Sequence, residues 1–187
     1  MLYLSPCIKE ALYFASEKHN GQYRKGGDVP YITHPVLVAF GVSKYTDDEE
    51  IIAGALLHDV LEDCEDVSLV LLQEKFGARI AKIVDDVSIL ATEEHTTWKK
   101  KKQMYLDKIK HVSNDALIII AVDKMVNMQA YFSALKDKGE IELSQYFGGS
   151  PGGYLWYYTE VGNILKSTLE GHLIVQSYFN LLKTLKE

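Results

Sequence analysis

The chain has 187 residues, a hydrophobic fraction of 47%, a charged fraction of 25% and a formal charge of −6. A chain of this length buries roughly 70% of its unfolded surface, so it folds without a covalent or metal staple. The acidic balance argues against a general nucleic-acid binder, which needs a broad basic face, but leaves room for a local cationic cluster that takes a phosphorylated small molecule.

In chain order the signals are helical almost throughout. Ser5–Pro6 reads as a cap followed by a proline at the first helical position, and Asn20–Gly21 closes that helix. The opening MLYLSPCIKEALYFA has no basic leader and breaks its apolar run at Lys9–Glu10, so no signal peptide is expected. Pro35 begins a second helix through VLVAFGVSKY. Thr46-Asp-Asp-Glu49 has capping-box spacing and starts a third, expected to carry IIAGALLHDVLED without interruption. Ser68 caps LVLLQEKF, which Gly77 stops, and further helices are expected over Ala78–Leu90, Thr97–His111 and Asp115–Leu135. Leu117–Ile120 is strand-like by propensity, but its flanks are helical and propensity is the weaker guide. Phe147-Gly-Gly-Ser-Pro-Gly-Gly153 is the strongest breaker, and the segment after it reads as a final amphipathic hairpin. The expectation is an all-α fold: a single helical bundle over 1–187, with its motif-bearing core at about 5–135 and a C-terminal helical hairpin over 151–187. Cys7 and Cys64 lack CxxC spacing, which fits free thiols in a reducing compartment, with Cys64 a buried structural thiol. No apolar stretch approaches the ~18 residues of a membrane span, so a cytoplasmic protein is expected.

The third helix carries the chemistry. Ile51 to Leu57 is apolar or glycine throughout, which predicts a helix buried on all sides. It then presents His58, Asp59, Glu62 and Asp63, with His58 and Glu62, and Asp59 and Asp63, at helical i,i+4 spacing. No basic residue stands between Lys44 and Lys75 to pair with these acids. Either a cation is bound here or the helix surfaces and its carboxylates are solvated; this helix alone does not decide. A second apolar run, Ala116–Val122, delivers Asp123 and, one turn later, Asn127. Its helix continues through KMVNMQAYF, so Asp123 is a buried acid that needs a cation rather than a helix-end residue. His34 sits between Pro30 and Pro35 at the mouth of the second helix. Two imidazoles and two carboxylates make a mixed nitrogen and oxygen set that suits manganese, iron, cobalt or zinc. Glu62 and Asp63 are the candidates to orient or deprotonate a water. His19, His95, His111 and His172 fall at helix ends or on polar faces and are given no role.

The spaced His34, the His58–Asp59 doublet and the distant Asp123 resemble the HD phosphohydrolase pattern. His19-Asn-Gly-Gln-Tyr-Arg-Lys-Gly26, Pro30-Tyr-Ile-Thr-His-Pro35, Leu57-His-Asp-Val-Leu-Glu-Asp63, Phe76-Gly77 and Val122-Asp-Lys-Met-Val-Asn127 resemble, in this order, the hydrolase domain of the RelA/SpoT family and its small stand-alone alarmone hydrolases. The likeness spans roughly residues 10–135, with an echo in Leu155-Trp-Tyr-Tyr158.

That resemblance implies a helical fold and a manganese ion on His34, His58, Asp59 and Asp123. It further implies removal of pyrophosphate from the 3′ position of guanosine tetra- or pentaphosphate. Glu62 and Asp63 match the pair that handles the attacking water. Arg24 matches the residue that packs on guanine, Lys25 is placed for phosphate, and Asn127 matches a position near ribose and phosphates. No synthetase region follows within these residues, so hydrolysis without synthesis is expected. Val126, Gln129 and Ser88 depart from the commoner pattern, and Lys99–Lys102 resembles a basic stretch often found there. The alternatives are an HD-type hydrolase of another phosphorylated nucleotide, or a nucleotide-binding sensor without turnover. The complete set of acids and histidines argues against the sensor. No nucleic-acid or membrane partner is expected, and the sequence is silent on oligomeric state.

Overall fold

Ser5 accepts a hydrogen bond from the Ile8 amide and places Pro6 at the first helical position, so the first helix starts where the sequence predicts. The computed structural model describes residues 5–25, 27–89, 96–143 and 148–184; Gly26, Leu90, His95 and Phe147 lie outside the described residues. In order, the helices are α1 (Pro6–Lys18), α2 (Thr33–Val42), α3 (Glu49–Leu57), α4 (Val60–Asp63), α5 (Leu69–Phe76), α6 (Ala78–Val87), α7 (Trp98–Ile109), α8 (Asn114–Leu143), α9 (Pro151–Thr168) and α10 (Leu173–Thr184). Among the described residues there is no strand, only an isolated antiparallel bridge between Tyr23 and Pro30. The all-α expectation holds. Ser68 caps α5 as read from sequence, Thr97, where the next helix was expected to begin, caps α7, and Ser150 caps α9 ahead of Pro151. Each such cap contributes about 1 kcal/mol.

Besides end shifts of two or three residues in α2 and α6, three differences from expectation matter. Thr46 does not cap α3: its hydroxyl takes the Asp48 amide at 3.1 Å, and Asp48 accepts from Glu50 N at 2.9 Å and Ile51 N at 3.4 Å. A carboxylate in that place gains from the positive end of the helix, which a neutral threonine does not. The predicted continuous helix through His58–Asp59 is broken there, with Asp59 at φ −99° and ψ −7°, close to the sparsely used bridge region. α8 runs past Leu135 to Leu143, leaving helical geometry at Gly139 (φ 80°, ψ 166°).

α3 is the central strut, packed against α1, α2, α6 and α8. A Cβ at Gly54 would stand 2.8 Å from Ile83 Cγ2 of α6 and 3.4 Å from Ile119 Cδ1 of α8, so this crossing requires glycine. The apolar stretch Ala116–Val122 is buried along its whole length, and the strand-like Leu117–Ile120 is helix because core contacts outweigh propensity. Full burial of each such Leu or Ile contributes roughly 1.5–3 kcal/mol. Two polar ties set the start of α8: Asp86 accepts from Ser113 N and Oγ, and Arg79 joins Asp48 and Glu50 to Asp115. The C-terminal hairpin packs α9 on α7 and α8, and α10 on α8 and α9. Tyr178 of α10 donates to the Tyr158 carbonyl of α9 at 2.9 Å. No helix among the described residues is long and apolar enough to cross a membrane.

Candidate active site

Where α2, the α3–α4 joint and α8 meet, four side chains with metal-ligating atoms converge. Pro30 stiffens the chain entering α2, the Thr33 hydroxyl and amide both bond the Pro30 carbonyl, and His34 N bonds the Tyr31 carbonyl at 2.9 Å. His34 is thereby aimed inward, 3% exposed. On a continuous helix, neighbours His58 and Asp59 would point about 100° apart. The break at Asp59 lets both face one point, with His58 Nε2 3.1 Å from Asp59 Oδ2. His34 Nε2 lies 3.6 Å from the same oxygen and 3.1 Å from Asp123 Oδ1, which α8 delivers from its buried run. His58 Nε2 is 3.9 Å from Asp123 Oδ1.

His34, His58 and Asp59 each offer a ligand atom within 4.8 Å of the others, a spacing suited to a metal ion. A specific atom supports the fit. His58 Nδ1 sits 2.7 Å from the Ala55 carbonyl, to which only a protonated nitrogen can donate, so Nε2 is the nitrogen left to take a proton or a metal ion. That Nε2 is buried and has no hydrogen-bond partner. Tyr31 donates to Asp59 Oδ2 at 2.8 Å, holding the same oxygen that faces the imidazoles.

The electrostatics agree with a cation-seeking cluster. Burial lifts the carboxyls of Asp59 and Asp123, but His58 outweighs it at Asp59, held at about 2, and Lys124 with His34 outweighs it at Asp123, held well below the usual range. Burial draws His34 down. It draws His58 down too, yet Asp59 and Asp123 prevail and raise that imidazole to about 9. A proton or a metal ion at Nε2 therefore balances the two carboxylates. Lys124 bonds Asp123; burial opposes its charge, but Asp123, Tyr105 and Tyr157 together outweigh burial, so it stays an ammonium.

A cleft of about 500 Å³ opens from this cluster, within the range of about 300–1,000 Å³ usual for small-molecule sites. Arg24, Lys25, Glu62 and Asn127 line it together with the cluster. Arg24 Nη2 donates to Asn127 Oδ1 at 2.9 Å, and its guanidinium stands 5.5 Å from the Tyr31 ring. Desolvation against the cleft wall, with the charges of Asp59 and Asp63 adding to it, pushes the Glu62 carboxyl up to about 7 although the residue keeps an open face to solvent, and Glu62 accepts from the Ile89 amide. Asp63 is not among the lining residues; burial first, then the charges of Asp59 and Asp63, push the Tyr31 hydroxyl far up and keep it a donor.

His19, given no role from sequence, stands at the C-terminal end of α1 as expected but is buried there. It is 2% exposed, with Nδ1 2.7 Å from Gln22 Oε1 and its ring 4.9 Å from Tyr31. Gln22 also donates to the Asp63 carbonyl at 2.7 Å, so this pair braces Tyr31 and α4 from behind. His19 occurs in the same short motif as Arg24, and that adjacency was the available signal. Sequence reasoning also gave no site role to Lys124, Tyr105, Tyr131, Tyr154, Tyr157 and Tyr158, all of which line the cleft. The run Tyr154–Tyr158 at helical spacing was the visible sign of the last three.

Residues 11–145 match the family described as HD domain. The chain belongs to the HD-domain family. This HD domain is related to SpoT/RelA-type and MESH1-type proteins. It is 34% identical over 133 residues to a guanosine-3′,5′-bis(diphosphate) 3′-pyrophosphohydrolase of Aquifex aeolicus, covering 70% of this chain and 18% of that protein. It is 35% identical over 126 residues to the Danio rerio guanosine-3′,5′-bis(diphosphate) 3′-pyrophosphohydrolase MESH1, covering 65% of this chain and 67% of that one. The chain thus spans under a fifth of the Aquifex relative but two thirds of the zebrafish one. Among solved structures, one described as a metazoan ortholog of SpoT that hydrolyzes ppGpp superposes with TM-score 0.70 at 23% identity over 96% of this chain and 97% of that one. At that identity the likeness speaks for the fold of the HD domain.

Proposed function

We propose that this HD domain is a manganese-dependent hydrolase that removes the 3′-pyrophosphate of guanosine tetra- or pentaphosphate and performs no synthesis. The observation that carries the reading is the buried, unpartnered Nε2 of His58 among His34, Asp59 and Asp123. The names of the Aquifex and zebrafish relatives support the substrate. His34, His58, Asp59 and Asp123 hold the ion, which when bound lowers the pKa of a water and neutralises phosphate charge.

The chain's own residues divide the remaining work. Glu62, raised to about 7, takes a proton from the attacking water. The water oxygen joins the phosphorus carried on the 3′ oxygen, the bond between them breaks, the 3′ oxygen takes up a proton and pyrophosphate leaves. Asp63 acts through Tyr31, keeping its hydroxyl a donor to Asp59. Arg24 stacks on the guanine, steadied by Asn127, while Lys25 meets phosphate.

Two expected outcomes arise from this division. Tyr31→Phe keeps the ring and removes the bond to Asp59, so manganese affinity, read by titration of the purified protein, should fall about 10- to 100-fold. Arg24→Ala should raise KM more than it lowers kcat, because stacking is the same in ground and transition states. The reading itself is tested by incubating purified protein and manganese with a nucleotide panel. Pyrophosphate release from guanosine tetraphosphate is the expected result; phosphate release from simpler nucleotides, or binding without turnover, overturns it.

A further inference from the structure

The glycine-rich breaker and the lysine run meet beside the cleft. Trp98, the first residue of α7, lies flat against the glycine segment: a Cβ at Gly149 would come 2.5 Å from its Cε2, and one at Gly153 3.2 Å from its Cζ3. Its indole also meets the buried Tyr157 ring of α9 edge-on, centroids 6.5 Å apart. One helical turn on, Lys102 Nζ stands 4.6 Å from the Tyr157 ring and 6.0 Å from that of Trp98. Aromatic faces fix an ammonium in place but leave its charge unneutralised.

Lys102 is half-buried and lines the cleft with Glu62, Asp123 and Lys124. Lys124 is committed to Asp123. Lys102 has no hydrogen bond or ion pair among the described residues. Burial, and then the repulsion of Lys124, lowers its pKa to about 8, a cost that a bound anion would remove. Arg24 is engaged elsewhere, with Asn127 and Tyr31, so one nucleotide can meet Arg24 at its base and Lys102 at its phosphates.

We propose that Lys102, held by Trp98, Tyr157 and the Gly148–Gly153 segment, is the anchor for the terminal phosphate of the pyrophosphoryl group that is cleaved off. The proposal rests on the hydrolase reading and extends it to a binding role for a residue outside the metal cluster. Lys102 binds the departing group and does not take part in the proton transfer.

The test compares Lys102→Met, which keeps length and packing, with Lys102→Arg, which keeps charge. Hydrolysis of guanosine tetraphosphate with manganese is measured with inorganic pyrophosphate and with GDP as product inhibitors, and inorganic pyrophosphate is titrated calorimetrically into each protein without added metal. For Lys102→Met, KM, the pyrophosphate inhibition constant and the calorimetric dissociation constant should each rise about tenfold, as expected for a lost charge-assisted bond. Inhibition by GDP should stay unchanged, kcat should move far less than KM, and Lys102→Arg should recover most of the loss. Gly149→Ala, which drives a methyl into Trp98, should weaken pyrophosphate in the same sense. Unchanged pyrophosphate constants in Lys102→Met, or a shift confined to GDP, overturn the anchor. Wild-type protein that binds pyrophosphate through Lys102 but cleaves no guanosine tetraphosphate overturns the hydrolase reading alone.

Discussion

Asp123→Asn is expected to empty the metal site and abolish turnover while the protein stays folded. Lys124 and Asn127 bond separate oxygens of Asp123, and the amide keeps one of these acceptors, enough to leave the buried Lys124 ammonium a partner. Asp123→Ala is the poorer test, because it would strand the buried Lys124 ammonium, and breaking such a pair costs roughly 3–5 kcal/mol. Losing the negative charge removes one of the two carboxylate charges in the cluster that attract a divalent ion. Several kcal/mol of charge stabilisation go with it, so kcat/KM should fall by at least about 10³-fold. Metal content after dialysis and the thermal transition, measured on one preparation, separate the two effects. Retention of a stoichiometric manganese ion by Asp123→Asn would remove Asp123 from the ligand set.

Glu62→Gln is expected to do the converse: bind manganese as the parent does and lose turnover by about 10²- to 10⁴-fold, the usual contribution of a general base. The amide still offers an oxygen to the Ile89 amide proton, so local structure is kept. The pH dependence follows from the sign of the shift. Glu62 works only when ionised, and its carboxyl is raised from 4.5 to about 7. Activity should therefore climb as pH rises through an acid limb and level off above it. A cation bound alongside draws the limb down from 7 toward the ordinary carboxylate value, and the direction of the slope is unaffected. In Glu62→Gln the limb should vanish along with the rate. A variant that stays active, with the same acid limb, would assign the base to another group.

The cluster was legible because burial leaves a mark on sequence. Asp123 follows seven apolar residues, and His58–Asp59 follow another run, so each acid announces a cost that only a cation offsets. Helix starts at Ser5, Ser68 and Thr97 were legible for an equally local reason, a side-chain oxygen bonding an amide three residues on. Thr46 misled because two oxygens competed for one helix end, and the charged one, Asp48, prevailed. The far wall of the cleft left no local mark. Lys102 looks like part of a solvated run, and only the packing of α7 on α9 turns it toward Glu62 and Asp123. His19 was obscured in the same way, since its burial depends on Tyr31 and Cys64, each of which lies in a different segment.

The interruption at Asp59 bears on how this protein can be improved. Substitutions chosen to strengthen α-helix across residues 57–61 would be rewarded in a thermal screen, since regular backbone is what such screens favour. They would also swing Asp59 away from the imidazole beside it, as adjacent side chains on a regular helix diverge by about 100°. Selection for heat resistance at this joint therefore runs against selection for ion capture, and a straightened variant would be the sturdier protein with the weaker grip.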